Sequence, residues 1–220
     1  MRIQSTAGRI TSITLRQPDD FHLHLRQGPA LQALLQPPLW PGIMARAIVM
    51  PNTKPPLTTG SAVAAYAREI REASHGQLVP LPTLYLTDAH GPAEIDDAID
   101  VGGAVAAKLY PAHATTGSAA GVTDVKNIWP ALGRMAERGM VLCIHGEVTD
   151  RDVDFFEREA TFLQRVASQI VEAFPTLKVV MEHVSTAAAV EFVINAGPNV
   201  AATITPQHLM FNRNAIFDGT

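Results

Sequence analysis

Residues 104–145, AVAAKLYPAHATTGSAAGVTDVKNIWPALGRMAERGMVLCIH, carry the pattern that decides the fold. An apolar run ends at Tyr110, a stretch of small and polar residues follows, and a helical pattern then leads to a second apolar run that ends at His145. The helical pattern, Thr123–Arg138, opens with Thr and Asp and stops at Gly139, which are typical signals of helix ends. This order of strand, helix and strand predicts a parallel βαβ unit.

The same alternation extends along the rest of the chain, where short β-branched, apolar runs predict about seven strands. The predicted strands are Ile10–Leu15 leading into Asp20–His24, Ala45–Met50, Gln77–Leu86, Ala104–Tyr110, Met140–His145, Lys178–Val184 and Val200–Thr205. The predicted helices are Ser61–Ser74, Pro92–Asp100, Thr123–Arg138, Asp152–Phe174 and Thr186–Asn195.

Two α/β architectures have this order of elements, the open doubly wound sheet and the (β/α)8 barrel. No Gly-rich phosphate fingerprint follows the first strand, which counts against a dinucleotide-binding sheet. A barrel needs eight strand–helix units and typically ~250 residues, whereas this chain has 220 residues and about seven predicted strands. No internal repeat or linker divides the chain, so we expect a single domain over residues 1–220.

Composition excludes several classes of partner. The formal net charge is -4 and no long basic run occurs, so neither nucleic acid nor an anionic membrane surface is an expected partner. The apolar stretches are short and interrupted by Pro or Gly, which is not the pattern of a transmembrane helix. The first residues lack the apolar core of a signal peptide. Cys143 is the single cysteine, and a reduced cytoplasmic setting is expected.

A pair of histidines, His22 and His24, is the first candidate for chemistry. Side chains two residues apart on a strand share a face and lie ~6.6 Å apart along it, so both imidazoles can approach one metal ion. Alone, the pair is weak evidence for a metal site, and polar positions on an exposed strand face are the more common explanation. Asp20 and Arg26 have the same parity, which gives a D-x-H-x-H-x-R pattern at one strand end.

Two further histidines strengthen the metal hypothesis. His145 and His183 each follow an apolar run, and singly each is more often a structural histidine than a ligand. Together with the first pair, they place imidazoles at the carboxyl ends of three separate strands, which is the edge where barrel enzymes have their active sites. The sequence therefore predicts a metal site at this edge.

Lys108 lies near the end of a fourth predicted strand. A lysine here can simply extend its amine to water. Beside divalent cations, however, the neutral amine is favoured, and a neutral amine can react with carbon dioxide to form a carbamate whose two oxygens can bridge two metals. The stretch Ala112–Gly121 that follows is typical of a mobile loop.

Arg26 and Asn52 are candidates for holding a carboxylate, because the guanidinium fork of arginine can bind both carboxylate oxygens. Asn52 ends the second predicted strand, and the neighbouring prolines also allow it to be a turn residue. The remaining histidines are weaker candidates. His75, His90 and His113 fall in helix-end or turn-like stretches; His208 lies where it could line the site, but it is not a predicted ligand.

Six segments that span most of the chain resemble the amidohydrolase superfamily and, within it, the dihydroorotases of the shorter bacterial kind. These segments are DDFHLHLRQG (19–28), VMPNTKPP (49–56), AAKLYPAHATT (106–116), IHGEVTD (144–150), VVMEHVST (179–186) and ATITPQHLMFNRN (202–214). The H-x-H pair is shared by many relatives, whereas HLHLR, MPNTKPP and TPQHLMFNRN are much more specific. The resemblance implies a TIM-type (β/α)8 barrel, of which this chain contains about seven strands.

The resemblance also implies roles for individual residues and a reaction. That reaction is the zinc-dependent, reversible cyclisation of N-carbamoyl-L-aspartate to (S)-dihydroorotate in pyrimidine (UMP) biosynthesis. Two zinc ions are expected per complete site, the small-molecule substrate is the main partner, and a homodimer is expected. The implied metal ligands are His22 and His24 for one zinc, His145 and His183 for the other, and Lys108 as a bridging N6-carboxylysine. The implied substrate contacts are Arg26, Asn52, His145 and the backbone near His24 and Leu25, with Thr115 and Thr116 on a closing loop.

The resemblance further implies a group that this chain does not contain. In the family, an aspartate at the end of the eighth strand transfers the proton and also contacts a zinc; here it would lie beyond Thr220. Asp218 is no substitute, because it falls in the loop after the seventh predicted strand and does not itself end a strand. We therefore expect no catalytic acid–base residue within this chain, a missing carboxyl-terminal part, and an unstable or inactive piece when that part is not supplied.

Two other interpretations remain. The first is another cyclic-amide hydrolase, such as a hydantoinase or dihydropyrimidinase, whose substrate has no free carboxylate and needs neither Arg26 nor Asn52. The second is an inactive dihydroorotase-like structural partner. The five candidate ligands are all present, which counts against loss of the metal site.

Overall fold

The computed structural model describes residues 2–6, 9–36 and 42–217, and its largest element is a parallel β-sheet of seven strands. The strands of the whole structure are β1 (Arg2–Thr6), β2 (Arg9–Thr14), β3 (Asp20–Leu23), β4 (Arg46–Val49), β5 (Val79–Tyr85), β6 (Ala106–Leu109), β7 (Val141–Ile144), β8 (Lys178–Met181) and β9 (Val200–Ala202). The order of hydrogen-bonded neighbours in the large sheet, β3 to β9, is the order in the chain.

Helices connect these strands. They are α1 (Gly28–Leu34), α2 (Gly60–Ala73), α3 (Pro92–Asp100), α4 (Trp129–Arg138), α5 (Arg158–Phe162), α6 (Ser168–Ala173), α7 (Ala187–Asn195) and α8 (Pro206–Met210). Parallel strands that follow chain order, with a helix in each connection, form part of a (β/α)8 barrel, which confirms the predicted fold class. Among the described residues, β3 and β9 each pair with one neighbour and are the two edges of the sheet. No helix within the described ranges is long and apolar enough to cross a membrane.

The apolar run Ile10–Leu15 is not the first strand of this sheet. All of this run except Leu15 belongs to β2, which pairs with β1 as an antiparallel hairpin in a separate two-stranded sheet. The first strand of the barrel is β3, which carries the histidine pair. A β-branched run predicts a strand but not its partner, so the sequence pattern could not distinguish a hairpin from a barrel strand.

The predicted helices are largely confirmed, and their ends follow capping chemistry. Helix α3 has the predicted bounds, and Gly139 ends α4 with a left-handed φ of 68°. Helix α2 begins one residue earlier than predicted, because the Thr59 hydroxyl, rather than that of Ser61, accepts the hydrogen bond from the first turn. Along α2, buried residues recur every three to four positions and face the sheet: Val63, Tyr66, Ala67, Ile70 and Ala73.

The predicted long helix Asp152–Phe174 is interrupted. A 3₁₀ turn at Phe155–Glu157 precedes α5, and a π-helical segment, Leu163–Ala167, separates α5 from α6. Side chains compete here for backbone carbonyls, because the Ser168 hydroxyl donates to Gln164 O at 2.8 Å. Such bonds weaken the regular i to i−4 pattern and allow a local change of helix type.

The close packing of α2 against α3 gives a test of the fold. A Cβ atom at Gly60 would lie 2.3 Å from the backbone oxygen of Asp97, so Gly60→Ala should destabilise the protein by ~1–3 kcal/mol through overpacking. At Gly133, inside α4, the added Cβ would meet the Phe174 ring at 3.6 Å, an ordinary contact. Gly133→Ala should therefore be neutral or stabilise by up to ~1 kcal/mol. Urea unfolding of both variants measures the difference, and equal stabilities would contradict this packing.

Candidate metal centre

Four imidazoles meet at the carboxyl edge of the parallel sheet. His22 Nε2 lies 3.0 Å from His24 Nε2, and His145 Nδ1 lies 3.3 Å from His183 Nε2. The two pairs adjoin, because the ring centroids of His22 and His183 are 5.2 Å apart. The structure therefore brings together the four histidines that the sequence placed at three strand ends.

Two residues of the site have strained backbones. Strand β3 ends at Leu23, so the shared parity predicted for Arg26 does not extend to it along a strand. Arg26 instead has a left-handed φ of 65°, and His183 has a φ of 42°. Non-glycine residues rarely adopt this region, and such strain is concentrated at functional sites. The hydroxyl of Tyr66 donates to the carbonyl of Arg26 at 2.7 Å and helps to hold this conformation.

Lys108 lies beneath the imidazoles on β6 and is completely buried, with 0% of its surface exposed. Burial lowers the pKa of its amine to about 7, whereas a charged carboxylate in contact acts in the opposite direction. The amine contacts the carboxylate of Glu182 and lies 5.1 Å from the centre of the Tyr110 ring. Desolvation thus favours the uncharged amine, which is the form that can react with carbon dioxide, whereas the contact with Glu182 favours the charged form.

Glu182 is the residue of this site that sequence reasoning missed. The strand register aligns Lys108 with Cys143 and Cys143 with Val180, and side chains two residues apart share a face. Glu182, two residues after Val180, therefore faces the same interior as Lys108. It is 1% exposed, and its Oε1 lies 2.9 Å from His22 Nδ1. The sequence places Glu182 directly before His183 in a Met-Glu-His triplet, but the strand register was needed to show that its side chain enters the site.

A second carboxylate approaches the other histidine pair. Glu147 Oε2 lies 3.0 Å from His145 Nε2, and the Arg158 guanidinium lies 3.3 Å from Glu147 Oε1. Carboxylates bonded to one ring nitrogen fix the orientation of a metal-binding imidazole and leave its other nitrogen free. His145 thereby directs its Nδ1 toward His183.

Burial keeps the imidazoles in the form that binds metals. Desolvation lowers the pKa of His22 and of His24 to about 4, and that of His183 to about 2. The pKa of His145 is also lowered, mainly by burial. Neutral imidazole is the form that donates a lone pair to a metal, so these side chains are ready to bind one at neutral pH.

The polar atoms of the site fit a divalent cation. Among the described residues, His22 Nδ1, Lys108 Nζ and both oxygens of Glu182 are buried without a hydrogen bond of acceptable geometry. Ligand atoms of His22, Glu182 and His183 all lie within 4.8 Å of one another. Buried polar atoms normally have partners, and nitrogen and carboxylate donors in one cluster suit a metal such as zinc. The chain therefore contains a group of side chains able to hold a metal ion.

The predicted substrate residues surround a cavity of about 300 Å³ next to the imidazoles. The cavity is lined by His22, His24, Arg26, Asn52, Tyr110, Thr115, Thr116, His145 and His183. This set joins the cationic guanidinium of Arg26 to the four histidines in one space. Leu25, by contrast, is 1% exposed and packs in the apolar core, so only its backbone can face a substrate.

The loop that carries Thr115 and Thr116 is tied to the cavity wall. The amide of Asn52 donates to Thr116 O at 3.2 Å, and the hydroxyl of Tyr85 donates to Gly117 O at 3.1 Å. Within the loop, the Ser118 hydroxyl donates to Thr115 O at 2.6 Å. Asn52 is thus both a cavity residue and an anchor of the loop, and the predicted mobility of the loop stays a prediction.

A wider cleft of about 1050 Å³ opens beside the histidines, and its wall includes residues of β3 and the segment after β9. His208 lines this cleft but not the smaller cavity. Its Nδ1 lies 2.9 Å from the hydroxyl of Thr205 and serves the first turn of α8, which agrees with its exclusion as a ligand. His90 is likewise bonded to Thr87 at 2.7 Å. Asp218 lies outside the described residues.

Comparison with known proteins agrees with this geometry. The sequence profile of the amidohydrolase family matches residues 43–206. The dihydroorotase of Azoarcus sp. (strain BH72) is 52% identical over 210 residues, which cover 94% of this chain and 60% of that protein. The chain thus spans about 60% of the length of this curated relative. The resemblance to dihydroorotases is confirmed by this identity.

Solved structures show the same similarity in three dimensions. The dihydroorotase of Campylobacter jejuni superimposes with a TM-score of 0.83 at 32% identity, over 93% of this chain and 58% of that one. The dihydroorotase of Saccharomyces cerevisiae in complex with 5-fluoroorotic acid superimposes with a TM-score of 0.81 at 30% identity, over 92% of this chain and 59% of that one. With a family profile that matches most of its length, the chain belongs to the amidohydrolase family.

Proposed function

We propose that this chain is the metal-binding part of a dihydroorotase, which cyclises N-carbamoyl-L-aspartate reversibly to (S)-dihydroorotate in pyrimidine biosynthesis. The observation that carries the proposal is the cavity of about 300 Å³ in which Arg26 and Asn52 lie beside four imidazoles. A hydrolytic metal centre beside a carboxylate-binding group matches a cyclic amide that bears a carboxylate. The similarity to dihydroorotases supports the same substrate.

The proposed metals are two zinc ions, held by the two histidine pairs. His22 and His24 would bind one ion, His145 and His183 the other, and Lys108, as N6-carboxylysine, would bridge them. The short distances within each pair, 3.0 and 3.3 Å, support this division. Such a centre supplies Lewis-acid polarisation of the attacked carbonyl and lowers the pKa of water at the site.

The other cavity residues would bind and enclose the substrate. The guanidinium of Arg26 would hold the carboxylate with two parallel hydrogen bonds, assisted by the amide of Asn52 and by backbone groups near His24 and Leu25. His145 would also contact the substrate. Thr115 and Thr116 would close over it and exclude water, with the Asn52–Thr116 hydrogen bond coupling the loop to the bound carboxylate.

The organisation of the whole protein is part of the proposal. Residues 1–220 would form one hydrolase barrel domain that contains the metal ligands, and the assembled enzyme would be a homodimer acting on a small molecule. A hydantoinase or dihydropyrimidinase activity would leave Arg26 without a partner in the cavity that it lines. An inactive structural role would leave five clustered metal-binding side chains without a use.

The substrate can be tested in a protein as long as the relatives. Because the chain spans about 60% of the Azoarcus dihydroorotase, a fusion to the remaining residues of that protein restores the full length. We expect the zinc-loaded fusion to open dihydroorotate and not the unsubstituted dihydropyrimidine ring. Arg26→Gln should raise KM for dihydroorotate roughly 10- to 100-fold, because a charge-assisted hydrogen bond contributes about 1.5–3 kcal/mol.

The control for this assay is Arg71→Gln, which removes an exposed guanidinium in the last turn of α2 and should leave KM unchanged. Faster turnover of the unsubstituted ring, or an Arg26→Gln variant with unaltered KM, would show that the substrate carries no carboxylate at Arg26.

Metal binding can be tested through the stability of the full-length fusion. A ligand present at about 1,000 times its dissociation constant stabilises the folded state by ~4 kcal/mol, so zinc should raise the unfolding free energy and a chelator should reverse this. His183→Asn should lose most of the effect. His75→Asn, a change after α2 and outside the cavity lining, should retain it. Equal zinc stabilisation of both variants would contradict the ligand assignment.

A further inference from the structure

Glu182 has no role in the ligand set proposed above, yet its carboxylate contacts both His22 and Lys108. Its Oε1 lies 2.9 Å from His22 Nδ1, and its Oε2 contacts the amine of Lys108. Both Glu182 and Lys108 have side chains that are 0% exposed. A buried carboxylate is costly unless it is paired, so its position between these two groups requires an explanation.

The two nitrogens of His22 face different partners. Nε2 lies 3.0 Å from His24 Nε2, on the side where the proposed zinc would be, and Nδ1 faces Glu182. The backbone N–H of His22 also donates to Asp20 Oδ1 at 2.9 Å, which fixes the start of the side chain. A neutral imidazole carries one proton, and its position is set by the hydrogen bond at the other nitrogen. His22 Nδ1 and Glu182 Oε1 lie 2.9 Å apart but without hydrogen-bond geometry in the structure. A small rotation of the carboxylate would make Oε1 an acceptor for Nδ1–H, which would leave the lone pair on Nε2.

We propose that Glu182 is a positioning residue of the metal centre: it accepts a hydrogen bond from His22 Nδ1–H, so that Nε2 is free to bind the metal, and it pairs with the amine of Lys108 while that lysine is unmodified. The proposal rests on the proposed metal centre for its first part. It is similar in kind to the contact of Glu147 with His145 Nε2 at 3.0 Å, so each histidine pair would be oriented by one carboxylate.

The Lys108 pairing also has a consequence for modification. A carboxylated Lys108 is an anion, and two anions in contact repel each other. Glu182 must then give up its contact with Lys108 and keep the one with His22. The carboxylate of Glu182 would thus contact both Lys108 and His22 before the lysine is carboxylated, and His22 alone afterwards.

The test reads the tautomer of His22 directly, by ¹⁵N NMR of the zinc-free full-length fusion introduced above, because the 220 residues alone are expected to be unstable. Removing either member of the pair alone leaves the other buried and unpaired and can prevent folding, so the comparison is between the unaltered fusion and the double variant Lys108→Met/Glu182→Met. Replacing both members of a buried ion pair with apolar groups is tolerated far better than removing one. We expect the proton of His22 on Nδ1 in the unaltered fusion and a mixture of tautomers in the double variant.

Zinc affinity provides the second measurement, on chains with Lys108 intact. Glu182→Gln keeps an acceptor oxygen for Nδ1–H and should retain the tautomer, with zinc affinity higher than that of Glu182→Met. Loss of an orienting carboxylate should weaken zinc binding roughly 10- to 100-fold. Glu191→Met, which alters an exposed carboxylate on α7, is the matched control and should not change either measurement.

Two results would overturn the inference. An unchanged tautomer in the double variant would show that Glu182 does not orient His22. Loss of stoichiometric zinc from Glu182→Met with the tautomer preserved would show that Glu182 is itself a ligand. Failure of the unaltered chain to bind zinc would instead contradict the proposed function, while the tautomer comparison, made without metal, still decides whether Glu182 positions His22.

Discussion

The contact between the buried amine of Lys108 and the buried carboxylate of Glu182 is the interaction on which the rest of this site depends. Two opposite charges removed from water are tolerated only when they are paired and further satisfied by neighbours. The neighbours here are four imidazoles that burial keeps uncharged. Each of them therefore has one nitrogen with a lone pair and one N–H donor. Several donor atoms of the site have no hydrogen bond of acceptable geometry. A divalent cation held by the imidazoles would fit them and would offset the negative charge of Glu182.

The parallel sheet produces this convergence through its register. Lys108, Cys143 and Val180 align across three neighbouring strands, so side chains two residues farther along share the interior face at the carboxyl edge. His145 and Glu182 reach the site in this way. His183 does not have the correct parity, and its left-handed backbone directs it inward instead. The site therefore combines regular geometry with one strained residue, as is common where function fixes a side chain.

Much of this arrangement could be predicted from the sequence. The alternation of strands and helices predicted the parallel architecture, and histidines at strand ends predicted the cluster, because barrel strands present their carboxyl ends to one space. Glu182 could not be assigned to the site, because the direction of its side chain depends on the register between strands, which the sequence does not reveal. The run Ile10–Leu15 was predicted to lead into the first strand of the main sheet but pairs with β1 instead, because propensity specifies a strand and not its partner. The π segment before α6 depends on side-chain bonds to backbone carbonyls that periodicity does not reveal.

The most direct test of the account is the chemical state of Lys108 when the metal is bound. The full-length fusion would be incubated with zinc and ¹³C-bicarbonate, its zinc content measured, and its ¹³C NMR spectrum recorded beside that of a Lys108→Met variant. The account predicts two zinc ions per chain and a single carbamate resonance that is absent from the variant. Two bound zinc ions without a carbamate resonance, or a resonance that survives in the variant, would contradict the claim that Lys108 bridges the metals.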